Sequence, residues 1–132
     1  MRVFRNGWFR KFARKRRISD EALCEAVARA EAGLVDADMG GGLLKQRVAR
    51  EGGGKSGGYR TLVALRAETR AVFVFGFAKS DQDNIDELDV RELKKLAKLV
   101  LGFAEDEMDR LVAAGRFDEV RCDGKGSENV PE

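Results

Sequence analysis

Two periods alternate along the chain. Val3 to Arg5 reads as a short strand. From Gly7 to Arg17, Trp8, Phe9 and Phe12 share one face of a helical projection, while Arg10, Lys11, Arg14, Lys15 and Arg17 cover much of the remainder. A second helix follows, with Ser19 as N-cap, Asp20 and Glu21 in its first turn, a Leu23, Val27, Ala30 stripe and Gly33 as its stop. The period then drops to two. In Leu43 to Arg50, Lys45 and Arg47 point to one side of a pleat and Leu44, Gln46 and Val48 to the other. Arg60 to Arg66 and Ala71 to Phe77 read as further strands joined by an Ala67-Glu68-Thr69-Arg70 turn, and AVFVFGF, apolar on both faces, reads as central. Asp89 to Glu92 opens a helix carrying Leu93, Leu96, Ala97, Val100 and Leu101, and a short helix over 105–114 ends at Gly115.

These elements predict an α+β fold: two N-terminal helices, an antiparallel three- to four-strand meander sheet, and C-terminal helices packed on it. Residues 1–120 make one domain, with a polar tail over 121–132 expected to be disordered. No apolar stretch approaches a membrane span, so no membrane partner is expected. Two cysteines, Cys24 and Cys122, are too few for a disulfide framework and fit a reducing compartment, hence a cytoplasmic protein.

Charge sharpens the picture. Residues 1–66 carry 15 Lys and Arg against 7 Asp and Glu, a balance of +8, and residues 67–132 carry 10 against 16, a balance of −6. A basic half of this kind points to a polyanionic partner. Cations concentrate around GGGLLKQRVAREGGGKSGGYR, residues 40–60, where Gly52 to Gly58 holds five glycines in seven positions and permits close approach of backbone to an anion. The GKS within it is not a nucleotide-binding P-loop: Ala49 stands where that motif needs its first glycine, and a strand, not a helix, follows. The chain has no histidine, which excludes histidine-based triads and most zinc sites and leaves acid–base chemistry to Lys, Arg, Tyr, Asp and Glu.

With this order of elements, and with KSGGYR followed after one hairpin by FAKSDQDNI, the chain resembles the RelE/HigB toxins of bacterial type II toxin–antitoxin systems, most of all the HigB-like branch. The resemblance implies a ribosome-dependent endoribonuclease that enters the ribosomal A site and cuts messenger RNA by 2′-hydroxyl attack on the adjacent phosphate, with no metal or cofactor. It also implies a cognate antitoxin, expected to be a helix-turn-helix protein. Carried over by position, Lys45 is the general-base candidate, Arg47 and Arg60 hold the phosphate and Lys79 stabilises the leaving group; Arg50, Lys55, Ser56 and Tyr59 are the RNA-binding candidates. Ser80 and Asp86 stand where RelE has an arginine and a tyrosine, which leaves the general acid open. Two alternatives remain: a ParE-like poison of DNA gyrase without ribonuclease activity, and a non-catalytic RNA-binding domain.

Overall fold

The computed structural model describes residues 1–50, 58–79 and 85–122. Strand β1 (Arg2–Asn6) runs directly into α1 (Gly7–Arg16), because the Asn6 side chain accepts from the Phe9 amide at 2.8 Å and caps the helix. Arg14, Lys15 and Arg16 complement the carbonyl end, and Arg17 closes the turn at φ 56°. Helix α2 (Asp20–Glu31) starts as expected at Ser19, whose hydroxyl accepts from the Ala22 amide. Strands β2 (Ala37–Gly40), β3 (Leu43–Val48), β4 (Tyr59–Arg66) and β5 (Arg70–Ala78) follow. Helix α3 (Glu87–Gly102) begins two residues before the expected Asp89, and α4 (Glu105–Ala113) is opened by Glu107, whose carboxylate accepts from the Ala104 amide at 2.9 Å. Strand β6 (Phe117–Val120) closes the fold.

The expected antiparallel meander exists as β2-β3-β4-β5, but it is part of a six-stranded mixed sheet ordered β2-β3-β4-β5-β1-β6. This corrects the expected strand count. Strand β1 lies parallel to β5, in the register Val3 with Ala71 and Arg5 with Phe73, and β6 is antiparallel on its other side. The chain thus returns to its own N-terminus, a long-range pairing that no local period announces.

Helices cover both faces. Against α1 and α2 lie Val3, Val48, Tyr59, Val63, Ala71 and Phe73. Against α3 and α4 lie Phe4, Leu43, Leu62, Val72, Val74 and Phe77. Strand β5 is buried on both sides, as its composition foretold, but its alternation is broken: Leu62 pairs with Phe75 and Val63 with Phe73, so Val74 is an extra, bulged residue. Without that bulge Phe73, Phe75 and Phe77 would share one face. With it, Phe75 and Phe77 go to the α3 side and Gly76 turns to α1, where a Cβ would stand 2.8 Å from the Phe12 ring.

Three expectations change. Arg70, read as a turn residue, opens β5 at 2% exposure and donates to the Val100 and Phe103 carbonyls and to Glu105, at 2.8, 2.9 and 2.7 Å. Cys24 and Cys122, read as fitting a reducing compartment, form a disulfide, because β6 on β1 carries residue 122 over α2. Part of the charge asymmetry is consumed internally: Arg2 pairs with Glu105, Asp109 and Glu119, and Arg5 and Arg10 pair with Asp118. Of the tail expected over 121–132, Arg121 and Cys122 are described, Cys122 within the disulfide, and residues 123–132 lie outside the described residues.

Candidate functional site

The β3–β4 hairpin gathers the cations through register. Lys45 lies opposite Leu62, and Arg47 opposite Arg60, which in turn lies opposite Phe77 of β5. Directly opposed residues share a face, so Lys45, Arg47 and Arg60 stand together on the α3 side of the sheet, near its β3–β4 mouth. The expected alternation holds behind them: Leu44, Gln46 and Val48 are 8%, 1% and 0% exposed on the opposite side.

That buried side fixes the strand. Gln46 donates from Nε2 to the Ala26 and Leu34 carbonyls at 2.9 and 3.1 Å and accepts from the Asp36 amide at 3.1 Å, so α2, the linker before β2 and β3 are tied through one side chain. Thr61 donates to the Gln46 carbonyl at 2.8 Å. Asp36 in turn accepts from the Arg47 amide at 2.6 Å and lies 3.8 Å from Arg47 Nε, and Arg29 donates to the Arg47 carbonyl. Asp36 was missed in the sequence, where it is one more acidic residue in a polar linker; only the β2–β3 pairing brings it to Arg47.

Arg47 and Arg60 face each other as like charges, an arrangement that costs stability. Arg60 Nη1 is also buried and has no hydrogen-bond partner among the described residues. A guanidinium donor held dry without an acceptor is destabilising until an anion reaches it. The mouth itself is tight. A Cβ on Gly58 would come 2.1 Å from the Val48 carbonyl oxygen, so only glycine lets β4 start this close to the end of β3.

The remaining candidates separate. Lys79 is exposed one residue past Ala78, which pairs with Tyr59, so it belongs to the same end of the sheet. Tyr59, expected among the RNA-contacting residues, is 7% exposed on the α1 and α2 side, edge-on to Phe12 at 5.7 Å; it supports the mouth from beneath. Arg50 is exposed beside Arg17 and Ser19 at the α1–α2 junction, away from the strand cations. Lys55, Ser56 and Ser80 lie outside the described residues, and Asp86 is exposed at the start of α3, making no side-chain cap hydrogen bond.

The perturbed titrations lie elsewhere. Glu105 is held below the usual carboxylate range by the hydrogen bond from Arg70 and then that from Arg2, and the Glu119 hydrogen bond leads in holding Arg2 further above its already high value. These groups clamp α4 to β1, β5 and β6, a structural network rather than a reaction centre.

Among the described residues no helix is long and apolar enough to cross a membrane. No curated protein matches the chain. A family model does: the one described as the RelE toxin of the RelE / RelB toxin-antitoxin system matches residues 1–120.

Proposed function

This chain belongs to the RelE toxin family and is a toxin of a toxin–antitoxin system, and from that premise we propose that it is a ribosome-dependent endoribonuclease that cuts messenger RNA without a metal. The observation that carries the reading is Arg60: a buried guanidinium donor without an acceptor among the described residues, directly across the ladder from Arg47 and on the face that bears Lys45. Two planar forks and one amine on rigid strands suit a phosphate flanked by a reacting hydroxyl.

Lys45 acts as general base, since a lysine can shed its proton and react as the neutral amine where a guanidinium cannot. Its Nζ accepts the 2′-hydroxyl proton as the 2′-oxygen bonds to phosphorus. Arg47 and Arg60 hold the non-bridging oxygens as charge grows on them. The P–O5′ bond breaks with its electron pair on O5′, where Lys79 stabilises the leaving oxygen while solvent water supplies its proton, giving a 2′,3′-cyclic phosphate and a 5′-hydroxyl. The family implies an antitoxin partner; we take it to be a helix-turn-helix protein that covers the Lys45, Arg47 and Arg60 face.

The test is cleavage of messenger RNA on programmed ribosomes beside a plasmid-supercoiling assay with gyrase, for wild type, Lys45→Ala and Arg60→Ala. Cleavage by wild type, lost in both variants, is expected. Growth arrest with inhibited supercoiling and intact message would instead establish the ParE-like reading, and salt-sensitive RNA binding without cleavage the non-catalytic one.

A further inference from the structure

Strand β1 stops pairing with β5 at Phe73, and the Asn6 side chain then donates to the Val74 carbonyl at 3.2 Å. Beyond that point β5 continues alone on this edge, and α1 crosses it to leave a groove of about 390 Å³. Its floor is aromatic: Trp8, Phe12, Phe75 and Phe77. Trp8 stacks on Phe75 with centroids 4.5 Å apart and on Phe12 at 5.3 Å, yet it remains 45% exposed. Its rim is cationic, formed by Lys11, Lys15 and Arg16.

Two of the three rim cations, Lys11 and Lys15, have no ion-pair partner among the described residues. Helix α1 contains no acidic residue. On its other flank Arg10 is paired with Asp118. Arg16 lies over the Phe12 and Tyr59 rings at 5.8 and 6.0 Å, which holds its charge at the groove wall. Phe77, at the groove floor, is the ladder partner of Arg60, one strand spacing of about 4.8 Å away.

We propose that this groove is a binding subsite for single-stranded RNA, in which an unstacked base packs on the Trp8–Phe75 surface and the neighbouring phosphates meet Lys11 and Lys15. A floor of rings under a positive rim is the combination that holds single strands, because every base has a π-face and every linkage a charge. An acidic peptide would satisfy the cations but leave the four rings without a matching partner. As a subsite next to the cleavage centre the inference rests on the ribonuclease reading; as an RNA site it stands without it.

Trp8 is the sole tryptophan of the chain, so its fluorescence reports on the groove alone. The experiment titrates the full chain with a 2′-O-methylated hexanucleotide, which binds without being cut, and in parallel with inorganic tripolyphosphate and with polyglutamate. The RNA should quench Trp8 saturably and the other two should not. Trp8→Leu should weaken binding of the labelled hexanucleotide roughly 5- to 150-fold, the range for loss of one base–aromatic stack, with Trp8→Phe recovering most of it. Joint replacement Lys11→Ala and Lys15→Ala should flatten the slope of log affinity against log salt by about 1.4, for two single-strand phosphate contacts. Unchanged fluorescence with RNA, equal quenching by tripolyphosphate, or quenching by polyglutamate alone overturns the proposal, the last in favour of a protein partner. Quenching that persists in Arg60→Ala supports it. Quenching by wild type that cuts no message on ribosomes also supports it, while removing the ribonuclease reading.

Discussion

Replacing Arg60 by methionine keeps most of the aliphatic stem on the sheet and deletes the guanidinium, so structural and functional roles pull in opposite directions. Two unfavourable features go with the charge. The like-charge pairing with Arg47 is worth about 0.2–1 kcal/mol. The buried Nη1 donor, without an acceptor among the described residues, is worth about 1–3 kcal/mol. Since the residue is partly exposed, the lower ends of both ranges apply, and Arg60→Met should gain about 1–2 kcal/mol of stability. In a domain of this length 1 kcal/mol corresponds to about 4 °C in Tm, so the variant should melt about 4–8 °C above wild type. Cleavage on programmed ribosomes should meanwhile fall on the order of a hundredfold or more, the usual cost of one preorganised donor to developing charge. Arg60→Lys should restore only part of the rate, since a point charge cannot reproduce the two-pronged contact. Circular dichroism melts and single-turnover cleavage give the two readouts. A variant that melts below wild type would mean Arg60 holds the fold through a partner of its own, and one that cuts at the wild-type rate would remove it from the site.

The Arg70 contacts should be stabilising and the one to Glu105 acid-sensitive. Arg70→Met strands the Val100 and Phe103 carbonyls, while Glu105 keeps Arg2, and should cost about 1–3 kcal/mol in urea denaturation, a reading refuted by an unchanged midpoint. Because the folded Glu105 is depressed below its ordinary 4.5, its contribution is complete above that pH and is lost as pH falls through the lower folded value; the Tm gap between wild type and Glu105→Gln should therefore be constant near neutrality and close in acid. The Cys24–Cys122 bridge spans a sequence separation of 98, and reduction or Cys122→Ser should cost about 2–4 kcal/mol, with the serine variant's Tm indifferent to reductant. Gly58→Ala forces a Cβ into the Val48 carbonyl and should cost more than about 2 kcal/mol while lowering cleavage, because the hairpin mouth that positions Arg60 must open; a wild-type melt and rate would refute this.

Everything that repeats within a few residues could be read from the sequence. Ser19 stands where a helix begins and Gly33 and Gly115 where helices turn off, since caps and glycine conformations are local chemistry. The two-residue period of Leu43 to Val48 already assigned Lys45 and Arg47 to one face, because a pleat allows no other arrangement. What the tertiary structure alone decided depends on which distant segments meet. Strand β1 found β5 in parallel, β6 found β1, and that return brought Cys122 to Cys24 and Asp118 to Arg5. Arg70 carried no mark of burial in its own neighbourhood, since the carbonyls that satisfy it come from the end of a helix 30 residues later. The bulge at Val74 turned Phe75 and Phe77 away from the face their alternation assigned, and so put Phe77 beside Arg60. Arg60 itself was visible as a cation near a glycine loop. That its donor is buried without an acceptor among the described residues follows only from cross-strand register and core packing, which a local period does not encode.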